Sequence, residues 1–157
     1  MTDTVAPPAL SVERGSVEIE IGPELGPDGK PTGAGWRWIG RKLREPMPVR
    51  SFKGPGGREI SFISARQVAK RLDDIVNPGN WSDRYKVLTT EPWIIECTLG
   101  VFGVEKTDCG YSNAPDADPE DRNYETEPAK AAYSDAFKRA AVKHGIGRFL
   151  YPEMRSN

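Results

Sequence analysis

A chain of 157 residues suits one folded unit with one core and a flexible appendage, and two cysteines are too few for a disulfide-stapled scaffold or a zinc site. The formal charge of −1 hides a strong asymmetry: residues 1–30 carry −4 and residues 116–127 carry −5, whereas residues 31–115 and 128–157 carry +4 each. The part expected to fold is therefore basic and can attract a polyanion, which a sequence pI near 5.9 conceals. The N-terminus lacks a basic-then-apolar signal pattern and no eighteen apolar residues run together, so the expectation is a soluble cytoplasmic protein with no membrane partner.

In chain order, residues 1–35 are rich in proline and glycine and read as a flexible arm, with room for one short edge strand in the alternating Val17-Glu18-Ile19-Glu20-Ile21. Gly29-Lys30-Pro31-Thr32 superficially resembles a phosphate-binding loop, but Glu24 stands where the first glycine is required, so a Walker-type site is rejected. From Trp36 to Arg44, Trp36, Ile39 and Leu43 fall at helical spacing beside a stripe of Arg37, Arg41 and Arg44, and Pro46 and Pro48 stop the helix. Val49–Lys53 and Arg58–Ile63 flank Gly54-Pro55-Gly56-Gly57, the signature of a β-hairpin. Ser64 then caps a helix with Val68, Leu72, Ile75 and Val76 on its core side and Arg66 with Lys70 opposite, ended by Asn77-Pro78-Gly79-Asn80.

Trp81, Asp83, Tyr85 and Val87 alternate with Ser82, Arg84, Lys86 and Leu88, a strand with one basic face. Trp93–Val101 and Val104–Tyr111 read as two further strands. A hairpin centred on Gly103 would set Cys97 opposite Cys109 as neighbouring sheet thiols. Residues 112–125 look like an acidic loop, and the last helix follows from Thr126 until Gly145 ends it. Ala129, Ala132, Tyr133, Ala136, Phe137, Ala140 and His144 share its apolar face, while Lys138, Arg139 and Lys143 project elsewhere. Arg139 and Lys143 are like charges four residues apart, cheap only if screened or faced by an anion. The predicted class is α+β: helix, β-hairpin, helix, three-stranded antiparallel sheet, helix, with the domain over residues 36–151 and a tail over 152–157.

Catalysis has little support. The sole histidine, His144, sits on an apolar helix face where packing or a dipole role is the ordinary explanation, and a two-metal nuclease needs convergent carboxylates on rigid elements, not on a proline-broken loop. Binding of single-stranded nucleic acid fits better, since it asks for a basic groove along the phosphates. The candidates are Lys138, Arg139, Lys143 and Arg148 near the C-terminus, Arg66 and Lys70 on the middle helix, and Arg84 and Lys86 on the first long strand. Each is also readable as a solvated charge: Asp73 and Asp74 can neutralise Lys70, whereas the nearest acid in sequence to Lys138 and Arg139 is Asp135. Trp81, Trp93 and Tyr133 sit at buried positions and are not proposed as stacking platforms.

The string Ser134-Asp135-Ala136-Phe137-Lys138-Arg139-Ala140-Ala141 followed by Gly145-Ile146-Gly147-Arg148-Phe149-Leu150-Tyr151 resembles the signature of the Rad52-like superfamily of single-strand annealing proteins, which includes bacterial DdrA-type and phage Sak-type members. The resemblance spans roughly Leu43–Tyr151. It implies a β-β-β-α core assembling into a ring or open arc, with single-stranded DNA in an outer basic groove. Lys138 and Arg139 match the family's basic pair; two further basic positions fall at Val142 and Gln67, beside Lys143 and Arg66. The expectation is ATP-independent annealing in recombination or double-strand break repair, with no cofactor, no metal and no catalytic residue. The DNA would lie between the last helix and the three-stranded sheet, sheet edges would pair between subunits, and a single-strand-binding protein or other repair factor is the expected partner. A strand-binding end protector and a metal-dependent nuclease are the alternatives.

Overall fold

The computed structural model describes residues 22–112 and 127–154. The expected edge strand at Val17–Ile21, the acidic loop beyond Ser112 and the last three tail residues lie outside them. The described chain runs α1 (Gly33–Arg44), β1 (Arg50–Lys53), β2 (Glu59–Phe62), α2 (Ala65–Val76), β3 (Trp81–Thr90), β4 (Trp93–Val101), β5 (Val104–Ser112) and α3 (Glu127–His144), with short 3-10 turns between several of them. It is an α+β fold with two antiparallel sheets, β1-β2 and β3-β4-β5.

The described chain opens on a hook that precedes α1. Leu25 bridges to Pro31, Gly26 N–H donates to the Lys30 carbonyl at 2.8 Å, and Thr32 caps α1 by accepting from Gly35 N–H at 3.1 Å. A side chain at Gly35 would place its first carbon 2.1 Å from the Glu24 carbonyl oxygen, so this hook packs tightly onto the helix. Helix α1 buries Ile39 and Leu43 against α2, whose Arg71 guanidinium donates to the carbonyls of Lys42 and Glu45 at 2.8 and 2.9 Å and so satisfies the end of α1.

Helix α2 starts on a capping box: Gln67 N–H donates to Ser64 Oγ at 3.2 Å and Ser64 N–H donates to Gln67 Oε1 at 2.8 Å. Val68, Leu72 and Val76, one per turn, are buried. The central strand β4 contributes Ile95, Cys97, Leu99 and Val101 to the same core, and α3 adds Ala132, Ala136, Phe137, Ala140 and Ala141. Alanines let α3 lie close on the sheet: a Cβ at Gly110 of β5 would fall 2.1 Å from Ala136 N and 2.7 Å from the Ala132 carbonyl oxygen.

The β4–β5 connection corrects the expected cysteine pairing. Its two turn residues, Phe102 (φ 47°) and Gly103 (φ 79°), both have positive φ, as a type I′ hairpin turn requires. The centre therefore lies between two residues, Cys97 pairs with Asp108, and Cys109 pairs with Glu96. Cys97 is buried on the helix face, where desolvation raises its thiol pKa to about 11, while Cys109 is exposed on the other face.

Candidate nucleic-acid interface

The same register sorts the faces of β3. Tyr85 meets Tyr133 of α3 at 5.0 Å between ring centroids and Trp81 meets Phe137 at 6.0 Å, so the odd positions face the helix. Arg84 and Lys86 consequently lie on the opposite face of the sheet. Arg84 is further engaged by a two-pronged ion pair with Glu105, whose carboxylate this holds below its ordinary range. The expected groove between α3 and the sheet is thus closed by packed rings, although Tyr133 stays 37% exposed at its edge.

An open cleft lies on the other flank of α3. It is about 530 Å³, walled by β2 on one side, by α3 on the other and by the Gly147–Tyr151 turn at its end. Arg58, Lys138 and Arg139 supply its cations, Glu59 and Asp135 its acids, and Ile60, Phe62 and Leu150 an apolar floor. The Lys138 ammonium lies 5.8 Å from the centroid of Phe62, which itself packs edge-on against Phe52 at 5.7 Å. Among the described residues, neither Arg58 nor Lys138 is paired with a carboxylate. The hairpin bearing this wall is largely exposed, Phe52 at 52%, and a two-stranded ribbon so placed leaves its apolar side chains open to a ligand or neighbour.

The other predicted residues do not join the cleft. Lys143 turns to β5, where it donates to the Thr107 carbonyl and stands 3.6 Å from the Asp108 carboxylate. Arg148 donates from Nε and Nη2 to the carbonyls of Val142 and Lys143 at 2.9 Å each, closing the end of α3. That end is a Schellman turn, with Gly145 N–H on the Val142 carbonyl and Ile146 N–H on the Ala141 carbonyl. Lys70 pairs with Asp74 at 2.5 Å beside a separate depression, and Arg66 is exposed on the first turn of α2. Gln67 is committed to the α2 cap and donates from Nε2 to the Pro48 carbonyl at 2.7 Å. His144 bonds the Leu99 carbonyl at 2.9 Å, and burial lowers its pKa, which suits a packed neutral imidazole.

Arg58, Phe62 and Asp108 were not singled out from sequence. Arg58 and Phe62 reach α3 only through tertiary docking, and their one local signal is an aromatic-bearing hairpin flanked by basic residues. Asp108 stands opposite Arg139 and Lys143 only through the β5–α3 contact, so the carboxylate paired with Arg139 is Asp108 and not Asp135, its nearest acid in sequence.

Residues 41–156 match the model of the Rad52/22 family of double-strand break repair proteins. The chain belongs to this Rad52/22 family. It is 40% identical over 123 residues to the single-stranded DNA-binding protein DdrA of Deinococcus deserti and 38% identical over 123 residues to that of Deinococcus radiodurans. Each match takes in 72% of this chain but only 56% and 54% of the relatives, so the chain spans about half the length of those curated proteins. The Rad52/22 match contains both walls of the cleft, β2 and α3, together with the sheet between them. Among the described residues no helix is long and apolar enough to cross a membrane, and no three metal-ligating side chains cluster.

Proposed function

We propose that this Rad52/22 chain binds single-stranded DNA in the cleft between α3 and the β1–β2 hairpin and anneals complementary strands there without nucleotide hydrolysis. The observation that carries the reading is the Lys138–Arg139 pair on the cleft wall, facing Phe62 and Arg58. Cations neutralise phosphates with release of counterions, and an aromatic floor gives bases a surface to rest on. Base pairing then drives the joining of two strands once phosphate repulsion is screened, and no step calls for a metal, a nucleotide or a catalytic side chain.

Two features support self-association. β3 and β5 are long edge strands, of ten and nine residues, and they leave Val87, Leu88, Val104 and Tyr111 exposed. Such edges invite pairing with another copy, which a ring or an arc of subunits would supply. On this reading the protein works in the cytoplasm at the nucleoid, with other repair factors, such as a single-strand-binding protein, as its partners; that the relatives it matches are bacterial single-stranded DNA-binding proteins supports the setting. Because the relatives' names state binding only, the second reading is a protein that coats and protects strands. An annealing assay with complementary fluorescent oligonucleotides decides: annealing faster than the spontaneous rate supports the first reading, and pairing slowed below that rate supports the protector.

A further inference from the structure

Arg139 and Lys143 are one helical turn apart and share a single carboxylate. Asp108 Oδ1 lies 3.5 Å from Arg139 Nε, and its Oδ2 lies 3.6 Å from Lys143 Nζ. The carboxylate is fixed by its own strand, because Cys109 N–H donates to Oδ1 at 2.8 Å. Both ion-pair distances are longer than those of tight charge-assisted hydrogen bonds, about 2.7–2.9 Å, so the contacts are Coulombic and replaceable. Arg139 lines the cleft and stands 3.5 Å from Asp108 through its Nε; among the described residues its two terminal nitrogens make no hydrogen bond. The same side chain thus borders both an internal anion and the cleft in which a strand would run.

We propose that Asp108 is an internal competitor of DNA phosphate. It occupies Arg139 and Lys143 in the empty chain, keeps their like charges compatible, and yields Arg139 to a phosphate when a strand enters. This deepens the single-stranded DNA reading and rests on it. With Asp108 ionised, the group Lys138, Arg139, Lys143 and Asp108 carries a net charge of +2 rather than +3. The competitor therefore weakens each bound site and speeds release, which suits a protein that must let go of a strand after pairing it.

The two roles open to Asp108 predict opposite signs. A residue that only positions Arg139 for DNA would weaken binding when removed, whereas a competitor strengthens it. The test is oligonucleotide binding by the full chain over a salt series, comparing wild type, Asp108→Asn and, as a remote change of equal charge, Glu91→Gln. Asparagine keeps the oxygen that accepts from the Cys109 amide. Asp108→Asn is expected to bind about two- to five-fold more tightly, the scale of an exposed ion pair. Its salt dependence should steepen by about 0.7 in log–log slope for one additional effective phosphate contact. Glu91→Gln should match wild type. If Asp108→Asn does not fold, Asp108→Ser, whose hydroxyl can also accept from that amide, carries the same expectation. Unchanged or weaker binding by the folded variant overturns the competitor, as does an equal gain in Glu91→Gln. Absence of binding by the wild type overturns the cleft reading itself, and the competitor with it.

Discussion

The ammonium of Lys138 stands 5.8 Å from the centroid of the Phe62 ring, and this contact ties the helical wall of the cleft to its hairpin wall. A cation over an aromatic face at a partly exposed site is worth about 0.5–1 kcal/mol. Phe62→Leu keeps apolar bulk and loses the ring. Single-stranded DNA affinity should fall about two- to five-fold with the fold intact, and more if a base rests on the ring. Fluorescence anisotropy with a labelled oligonucleotide, beside circular dichroism, measures both.

Arg148 should behave as a structural residue. Its two bonds to the Val142 and Lys143 carbonyls close the last turn of α3. Arg148→Ala is expected to cost about 1–2 kcal/mol in thermal or urea unfolding, on the scale of partly exposed bonds from a charged donor. Its salt dependence of DNA binding should stay that of wild type.

Gly110→Ala tests the α3–sheet contact. The added carbon would sit 2.1 Å from a backbone nitrogen of α3, and backbone cannot swing aside as a side chain can. The expected loss is about 3 kcal/mol or more, at the upper end of overpacking effects, read as a lowered unfolding midpoint.

His144 gives the fold a pH dependence whose sign follows from its surroundings. Burial holds its pKa below the ordinary value; Lys106 and Arg148 push the same way, and the Leu99 carbonyl opposes them. Between the folded value and about 6.5 the unfolded chain binds more protons than the folded one. The stability His144 contributes is therefore complete above that range and is lost as pH falls through the folded value. Thermal midpoints should drop on acidification from about pH 7.5 to about 5.5, the range in which an ordinary histidine titrates. His144→Gln should flatten that drop.

Local chemistry was the legible part of this fold. Ser64 and Gln67 announce the start of α2, Asn77-Pro78-Gly79-Asn80 announces its end, and Gly54–Gly57 announces the hairpin turn. The β4–β5 register is not legible in the sequence because Phe102 occupies a positive-φ turn position that Asn, Asp or Gly usually fills, so the two-residue turn carries no clear mark. Its ring packs edge-on against Trp36 at 6.2 Å, a tertiary contact no local pattern shows. At the cleft, Lys138 and Arg139 were legible from helix periodicity, but Arg58, Phe62 and Asp108 are brought to them from other elements. The alternation of β3 is legible in the sequence, and only the packing of Tyr85 on Tyr133 reveals that Arg84 and Lys86 point away from α3, where Glu105 engages Arg84.

The central claim, that phosphates lie in the cleft between α3 and the hairpin, is tested most directly by oligonucleotide binding over a salt series. The variants are Lys138→Ala/Arg139→Ala and, on the opposite sheet face, Arg84→Ala/Lys86→Ala. The account predicts that the first pair loses affinity and that its log–log salt slope becomes shallower by about 1.4, two contacts at about 0.7 each, while the second keeps most of both. A folded Lys138→Ala/Arg139→Ala protein with wild-type affinity and wild-type slope would contradict it.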